Sequence, residues 1–255
     1  MPPMLTLYKL RSLERLDFVA DILVAERLYC APWYELNDPM EGYFDMSCAA
    51  KCFGDLSVLI STPQTICCRS ADKMRICSLS LDISDIRLWA HYGGAQAGVA
   101  IEIDFSGLET EVRKVIYDSR LQKIDVTDGT VPDPREILSH KTHHWSYESE
   151  YRVITKEHYF PEKGRIRRVI VGRSCPDSMV DILRRLLPSG ARMGRVGLDP
   201  SRYLLEPYDL VVTSNTAVLC SQNFLFNFQP LLPPLSPIRA LCIRLDIPHL
   251  VARLA

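Results

Sequence analysis

The stretch Trp145-Ser146-Tyr147-Glu148-Ser149-Glu150-Tyr151-Arg152 constrains this chain more than any other. Aromatic and charged residues alternate along it, which predicts a strand over Tyr147 to Lys156 with two unlike faces. Trp145, Tyr147, Tyr151 and Val153 then point to a core, and Glu148, Glu150 and Arg152 point the other way. Two like charges on one strand face destabilise it unless they have a partner or a task. Such a conflict between local stability and placement marks a functional position. Catalytic glutamates need an open crevice, whereas glutamates sealed by basic partners are structural.

The remaining pattern predicts a mixed α+β domain. Leu5 to Leu10, Arg27 to Cys30, Arg75 to Ser80, Gly98 to Asp104, Arg113 to Tyr117, Ile166 to Val171 and Tyr203 to Val212 read as further strands. Ser12 caps a helix running to about Ala25, with Leu13, Leu16, Val19, Ile22 and Leu23 at helical spacing. Further helices are expected over Asp85 to Tyr92, Pro134 to His144 and Asp177 to Leu187, and one within 42–74. The expectation is a mainly antiparallel sheet of about seven or eight strands with about four or five helices, uneven in order. Residues 1–212 form the domain, and 213–255 form a Pro- and Leu-rich tail that either packs on it, mediates assembly or is a non-native extension.

Composition excludes several classes. The net charge of −1 gives no global field for nucleic acid or an anionic membrane. No apolar stretch has the length of about 18 residues that a membrane span needs. The nine cysteines are odd in number and follow no signal peptide, which points to free thiols in a reducing cytoplasm. Cys48-x3-Cys52 and Cys67-Cys68 lack the paired short spacings of zinc sites, and His140, His143 and His144 share no ligand spacing with an acid or thiol, so no metal is predicted. Dinucleotide-fold, P-loop and hydrolase-elbow motifs are missing.

Six segments together resemble a widespread, largely uncharacterised bacterial family, a domain of unknown function. They are Leu7 to Leu13, Leu36-Asn37-Asp38-Pro39-Met40-Glu41, Cys77 to Ser80, Leu88-Trp89-Ala90-His91-Tyr92-Gly93, Gly98 to Asp104, and Trp145 to Arg152. The resemblance spans about residues 5–190 and stops short of the tail.

The order of strand, helix, short strand and later E-x-E strand is also similar to ADP-ribosyltransferases. That resemblance implies NAD as substrate, with a protein or nucleic acid as acceptor, and with toxin or defence roles as an extrapolation. It implies Glu150 as the second acid of E-x-E and Glu148 as the first. Arg11 or Lys9 would hold the pyrophosphate, Ser78 or Ser80 would be the serine of the middle strand, Tyr92, Tyr29 or Tyr8 would stack on nicotinamide, and Arg152 would be a further substrate-binding residue. Glu150 would stabilise the ribosyl cation that develops as the nicotinamide bond breaks, and Glu148 would orient or deprotonate the acceptor.

Each residue also has a plainer reading. Glu148 and Glu150 flank Arg152 in a charged ladder; His91-Tyr92 is a helix end, with His91 otherwise polar in a cleft; Asn37-Asp38 is a turn before it is a binding loop; Lys141 belongs to a solvated face; Trp89 is core. Two other functions stay open. A nuclease would use His91, Glu102, Asp104, Glu148 and Glu150. A non-enzymatic binding module would have its acids buried against Arg11, Arg152 or Lys141.

Overall fold

A computed structural model describes residues 5–48, 73–126, 133–199, 201–202 and 204–210. The tail 213–255 and the helix expected within 42–74 lie outside the described residues, the short Asp45–Cys48 strand apart. So do Cys52, Cys67, Cys68, Cys220 and Cys242, and Cys30, Cys77 and Cys175 are free and buried.

A nine-stranded mixed sheet organises the chain. Its strands are β1 (Thr6–Arg11), β2 (Ala31–Pro32), β3 (Arg75–Ser80), β4 (Val99–Asp104), β5 (Val112–Lys114), β6 (Glu150–Thr155), β7 (Ile166–Val171), β8 (Arg192–Asp199) and β9 (Leu204–Asp209). Across the sheet the order is β9-β8-β7-β4-β1-β3-β6-β5, with β2 also pairing with β3. Only β7 and β8 run parallel; the other pairs are antiparallel. The fold is therefore α+β, as the uneven order of elements predicts.

Side chains along β1 alternate between the two sides of the sheet, as the pleat requires. Leu7 packs with Ile101, Ile103, Val169 and Val171 under α1 (Leu16–Ala25) and α3 (Asp177–Leu186). Leu10 faces the other side, with Trp89 and Leu88 of α2 (Ile86–His91), Ala100 and Ile170. Ser12 accepts from the Glu14 amide, and Asp85 accepts from the Arg87 amide. Each satisfies a free donor at a helix start.

Several expectations fail for identifiable reasons. The helix expected over Pro134 to His144 is one turn, Pro134–Ile137, and His140–Thr142 is a strand pairing in parallel with Ile116–Asp118. Tertiary pairing outweighs local propensity there. The strand expected from Tyr147 starts only at Glu150, because His143–Glu148 forms a 3-10 helix closed by Ser149 at φ 44°. The aromatic alternation of Trp145 and Tyr147 is thus not a strand pattern. Within the expected 118–133 connection, Lys123–Val126 pairs with Asp45–Cys48. The strand Arg192–Asp199 went unread because Gly194, Arg195 and Gly197 interrupt its period.

Candidate functional site

The side of the sheet opposite α1 and α3 carries a polar row. Glu102 on β4 is the cross-strand partner of Tyr8 on β1, Tyr8 of Ser80 on β3, and Ser80 of Glu150 on β6. Each step is one strand spacing, about 4.8 Å. Glu150 stands at one end of this row, and a dense ion-pair cluster surrounds it.

Arg152 is the centre of the cluster, with an exposure of 0%. Its Nε and Nη2 donate to the two oxygens of Glu150, at 2.8 and 3.1 Å. The same guanidinium forks onto both oxygens of Glu41, with Nη2 to Oε2 at 2.9 Å, and Nη1 donates to the Leu138 carbonyl at 2.6 Å. A planar guanidinium suits two carboxylates at once, as an ammonium would not. Lys141 Nζ donates to Glu148 Oε2 at 2.5 Å and to Glu150 Oε2 at 3.2 Å, and lies 4.7 Å from the centre of the Trp145 ring. Tyr92 Oη donates to Glu148 Oε1 at 2.6 Å. The Glu150 amide donates to Tyr117 Oη at 2.9 Å.

Glu148 and Glu150 thus meet on one ammonium although they do not share a strand face. The left-handed Ser149 turns the chain so that both carboxylates reach Lys141. Their exposures are 4% and 3%. Three carboxylates (Glu41, Glu148, Glu150) face two cations (Lys141, Arg152). Burial works to raise Glu150, but the charges of Arg152 and Lys141 outweigh it and hold its carboxyl well below the usual range. Burial raises Glu148, and the neighbouring Glu150 charge adds to the rise against the pull of Lys141. Burial likewise raises the Tyr92 phenol, so it stays a donor to Glu148.

The remaining predicted site residues divide. Ser78 lies on the cluster side and its hydroxyl supports Glu150. The Ser80 hydroxyl is 2.6 Å from the Glu148 carbonyl and is buried, so it holds the 3-10 turn against β3. Asn37 is exposed and lies near the Tyr92 phenol, whose pKa it acts to lower against the dominant effect of burial. Asp38 is buried and caps a turn, accepting from the Met40 amide at 2.9 Å. The turn reading of Asn37-Asp38 holds, and it places Glu41 where Arg152 needs it. Arg152 has no free donor face for a substrate, contrary to its expected binding role. Lys141 is a buried partner of both glutamates rather than part of a solvated face.

Arg11 and Lys9 do not join Ser78, Ser80 and Glu150. The pleat sends them to the opposite side of the sheet, beside Leu7. Lys9 is buried, donates to the Ser78 carbonyl at 2.7 Å, and burial lowers its amine pKa. Arg11 lies beside the Phe18 ring, 5.7 Å from its centre. Tyr29 is also remote, stacked on Phe18 and edge-on to Tyr159. His91 is exposed and sits against Trp145 and Tyr147, with ring centres 6.3 Å away in both cases. Glu102 pairs with Arg168 at 2.8 Å, and Asp104 with Arg167 at 2.8 Å. Glu102 is three strand spacings from Glu150, about 14 Å. The five residues named for a nuclease are not gathered at one point, and among the described residues no three His, Cys, Asp or Glu side chains group to hold a metal.

The sequence reading missed Glu41 and Tyr117 as members of the cluster, and named Lys141 only as one of three possible partners for the acids of a binding module. Glu41 had a signal, since it closes the Asn37-Asp38-Pro39-Met40-Glu41 segment. Tyr117 had none, because it meets Lys141 only through the pairing of Ile116–Asp118 with His140–Thr142.

Residues 88–153 match the model of a family described as a protein of unknown function, DUF2971. That segment contains the His91-Tyr92, Gly98 to Asp104 and Trp145 to Arg152 segments on which the resemblance to an uncharacterised bacterial family rests. No curated protein and no solved structure matches the chain. Among the described residues, no helix is long and apolar enough to cross a membrane.

Tyr92 offers a direct probe of the cluster. Tyr92→Phe removes one donor from a buried carboxylate and is expected to cost about 1.5–3 kcal/mol. Urea unfolding monitored by circular dichroism measures the loss. A change within error would mean that Glu148 is satisfied without the phenol.

Proposed function

We propose that the polar side of β1, β3 and β6 is the reacting face of an ADP-ribosyltransferase-like enzyme with NAD as substrate and a protein side chain or nucleic-acid base as acceptor. One observation carries this reading: Tyr8, Ser80 and Glu150 stand in register on three neighbouring strands. A first strand, a serine strand and a glutamate strand side by side are what the resemblance asks for. The pyrophosphate role of Lys9 and Arg11 is not part of the proposal, since both lie across the sheet.

The chemistry assigns Glu150 to the ribosyl cation. A carboxylate kept ionised and preorganised by Arg152 stabilises positive charge at the anomeric carbon as nicotinamide leaves. Lys141 Nζ, 3.2 Å from Glu150 Oε2, occupies the position of that developing charge. This reading requires the sealed cluster to open: Lys141 must withdraw when the ribose enters, which exposes Glu150 and leaves Glu148, its other partner, to orient the acceptor.

A second reading is favoured by the burial of both acids. With Glu150 3% exposed and held by Arg152 and Lys141, the cluster is a structural core and the chain is a binding module. One experiment separates the two. Wild type, Glu148→Gln and Glu150→Gln are incubated with adenylate-labelled NAD, and nicotinamide release and label transfer are followed beside melting curves. The enzyme reading expects activity in wild type and a loss of about 10²–10³-fold in Glu150→Gln. Equal background in all three proteins, with a lowered melting temperature in Glu150→Gln, leaves the binding module.

A further inference from the structure

The strand Tyr159–Pro161 lies off the main sheet, in a two-stranded ladder with Arg27–Tyr29. Two backbone bonds close the ends of that ladder: the Cys30 amide donates to the His158 carbonyl at 2.9 Å, and the Glu162 amide to the Glu26 carbonyl at 3.0 Å. A pair of strands this short is marginal alone and depends on what packs at its ends. The turn that follows is strained, with Lys163 at φ 25° and Gly164 at φ 71°. That region suits glycine and not lysine, so the turn keeps this shape only while its surroundings hold it.

Glu162 closes the turn from within. It is 1% exposed. Its Oε2 accepts from the Arg165 amide at 3.2 Å, whereas Oε1 is sealed from solvent and accepts from no donor. Among the described residues no cation forms an ion pair with it. Arg165 Nη1 donates instead to the Asp104 and Ser106 carbonyls, at 3.2 and 3.1 Å, and Arg27 pairs with Asp21 and lies over the Tyr159 ring. The other charged groups nearby are Glu26 at the end of α1, Glu111 after β4 and Lys163 in the turn itself, while Asp104 is taken by Arg167. A sealed carboxyl with one amide donor and no cation is far more stable neutral than ionised. A proton on Oε1 suits the oxygen that accepts from nothing.

We propose that Glu162 is a proton-operated latch: protonated, it lets the turn through Arg165 pack shut and holds Tyr159–Pro161 on Arg27–Tyr29; ionised, it releases that strand. An ionised Glu162 finds no counter-charge inside, and water reaches it only if the turn opens. Phe160 would move with the strand. It stacks on the buried Phe105, with ring centres 6.1 Å apart, so release would bare a core ring.

Burial, opposed by the Arg165 amide and reinforced by Glu26, raises the Glu162 carboxyl from 4.5 to about 7. A carboxyl raised on folding contributes stability that is full below 4.5 and is lost as pH rises through about 7. In the opened turn the carboxyl returns to its ordinary range, so opening becomes more favourable across the same window.

The test compares full-length wild type with Glu162→Gln, a neutral mimic of the protonated acid, by amide hydrogen exchange corrected for the intrinsic effect of pH. In wild type the protection of the Cys30 and Glu162 amides is expected to fall by roughly 50- to 100-fold between about pH 5 and about pH 8. In the variant it should stay level. The carbon-13 shift of the Glu162 carboxyl in wild type gives a second reading that needs no variant, with a midpoint expected at about 7. An ordinary glutamate midpoint, the same pH dependence in both proteins, or exchange of the two amides only together with those of β1 and β4 would overturn the proposal.

Discussion

Arg152→Met is expected to lower unfolding stability by about 3–5 kcal/mol, the range for breaking a buried ion pair by removing one partner. Arg152 is wholly buried, and its loss strands the carboxylates of Glu41 and Glu150, which are 5% and 3% exposed. Lys141 would remain as the only cation of the cluster, and it reaches Glu148 and Glu150 but makes no ion pair with Glu41. The Leu138 carbonyl would lose its donor as well. With a domain's total stability near 5–15 kcal/mol, the variant should be close to unfolding at ordinary temperature. Chemical denaturation measures this directly. The triple variant Glu41→Leu, Glu150→Leu, Arg152→Met should recover much of the loss, because it removes the charges together. If the triple variant is as unstable as the single one, stranded charge is not the reason.

Trp89→Ala should cost a comparable amount, about 3–5 kcal/mol. Trp89 is 0% exposed and packs with Leu10, Leu88, Ala100 and Ile170. Its indole N–H donates to the Ile83 carbonyl at 2.8 Å, a buried acceptor that alanine would leave unpaired. The chain after α2 also depends on it. A Cβ at Gly93 would lie 2.7 Å from the Trp89 ring, so the two residues are fitted to each other. Trp89→Phe keeps most of the apolar contact and should lose less, about 1–3 kcal/mol from the unpaired carbonyl. Thermal unfolding of the two variants side by side separates packing from the hydrogen bond; equal losses would assign the whole effect to the hydrogen bond.

The elements legible in the sequence share a property: each has a local cause. The first strand, the helix capped by Ser12, the helix capped by Asp85, and the strands at Arg75 to Ser80 and Ile166 to Val171 follow from period, cap and bounding turn. The missed elements have no local cause. A clean two-residue period is absent between Arg192 and Asp199, where glycines and charges interrupt the pattern and parallel pairing with β7 makes the strand. The strand His140–Thr142 replaces an expected helix because Ile116–Asp118 offers it a partner.

The glutamate cluster divides along the same line. Local order made Glu148, Glu150 and Arg152 neighbours, and Asn37-Asp38 a turn, since these depend on residues a few positions apart. Which face Lys9 and Arg11 take follows from the alternation of a strand, but what lies on each face does not. Only the folded chain brought Glu41 across to Arg152 and Lys141 between two glutamates, converting an apparent charged ladder into a sealed network. Ion pairing acts through space and is indifferent to separation along the chain, so the sequence could name the charges but the tertiary structure chose their partners.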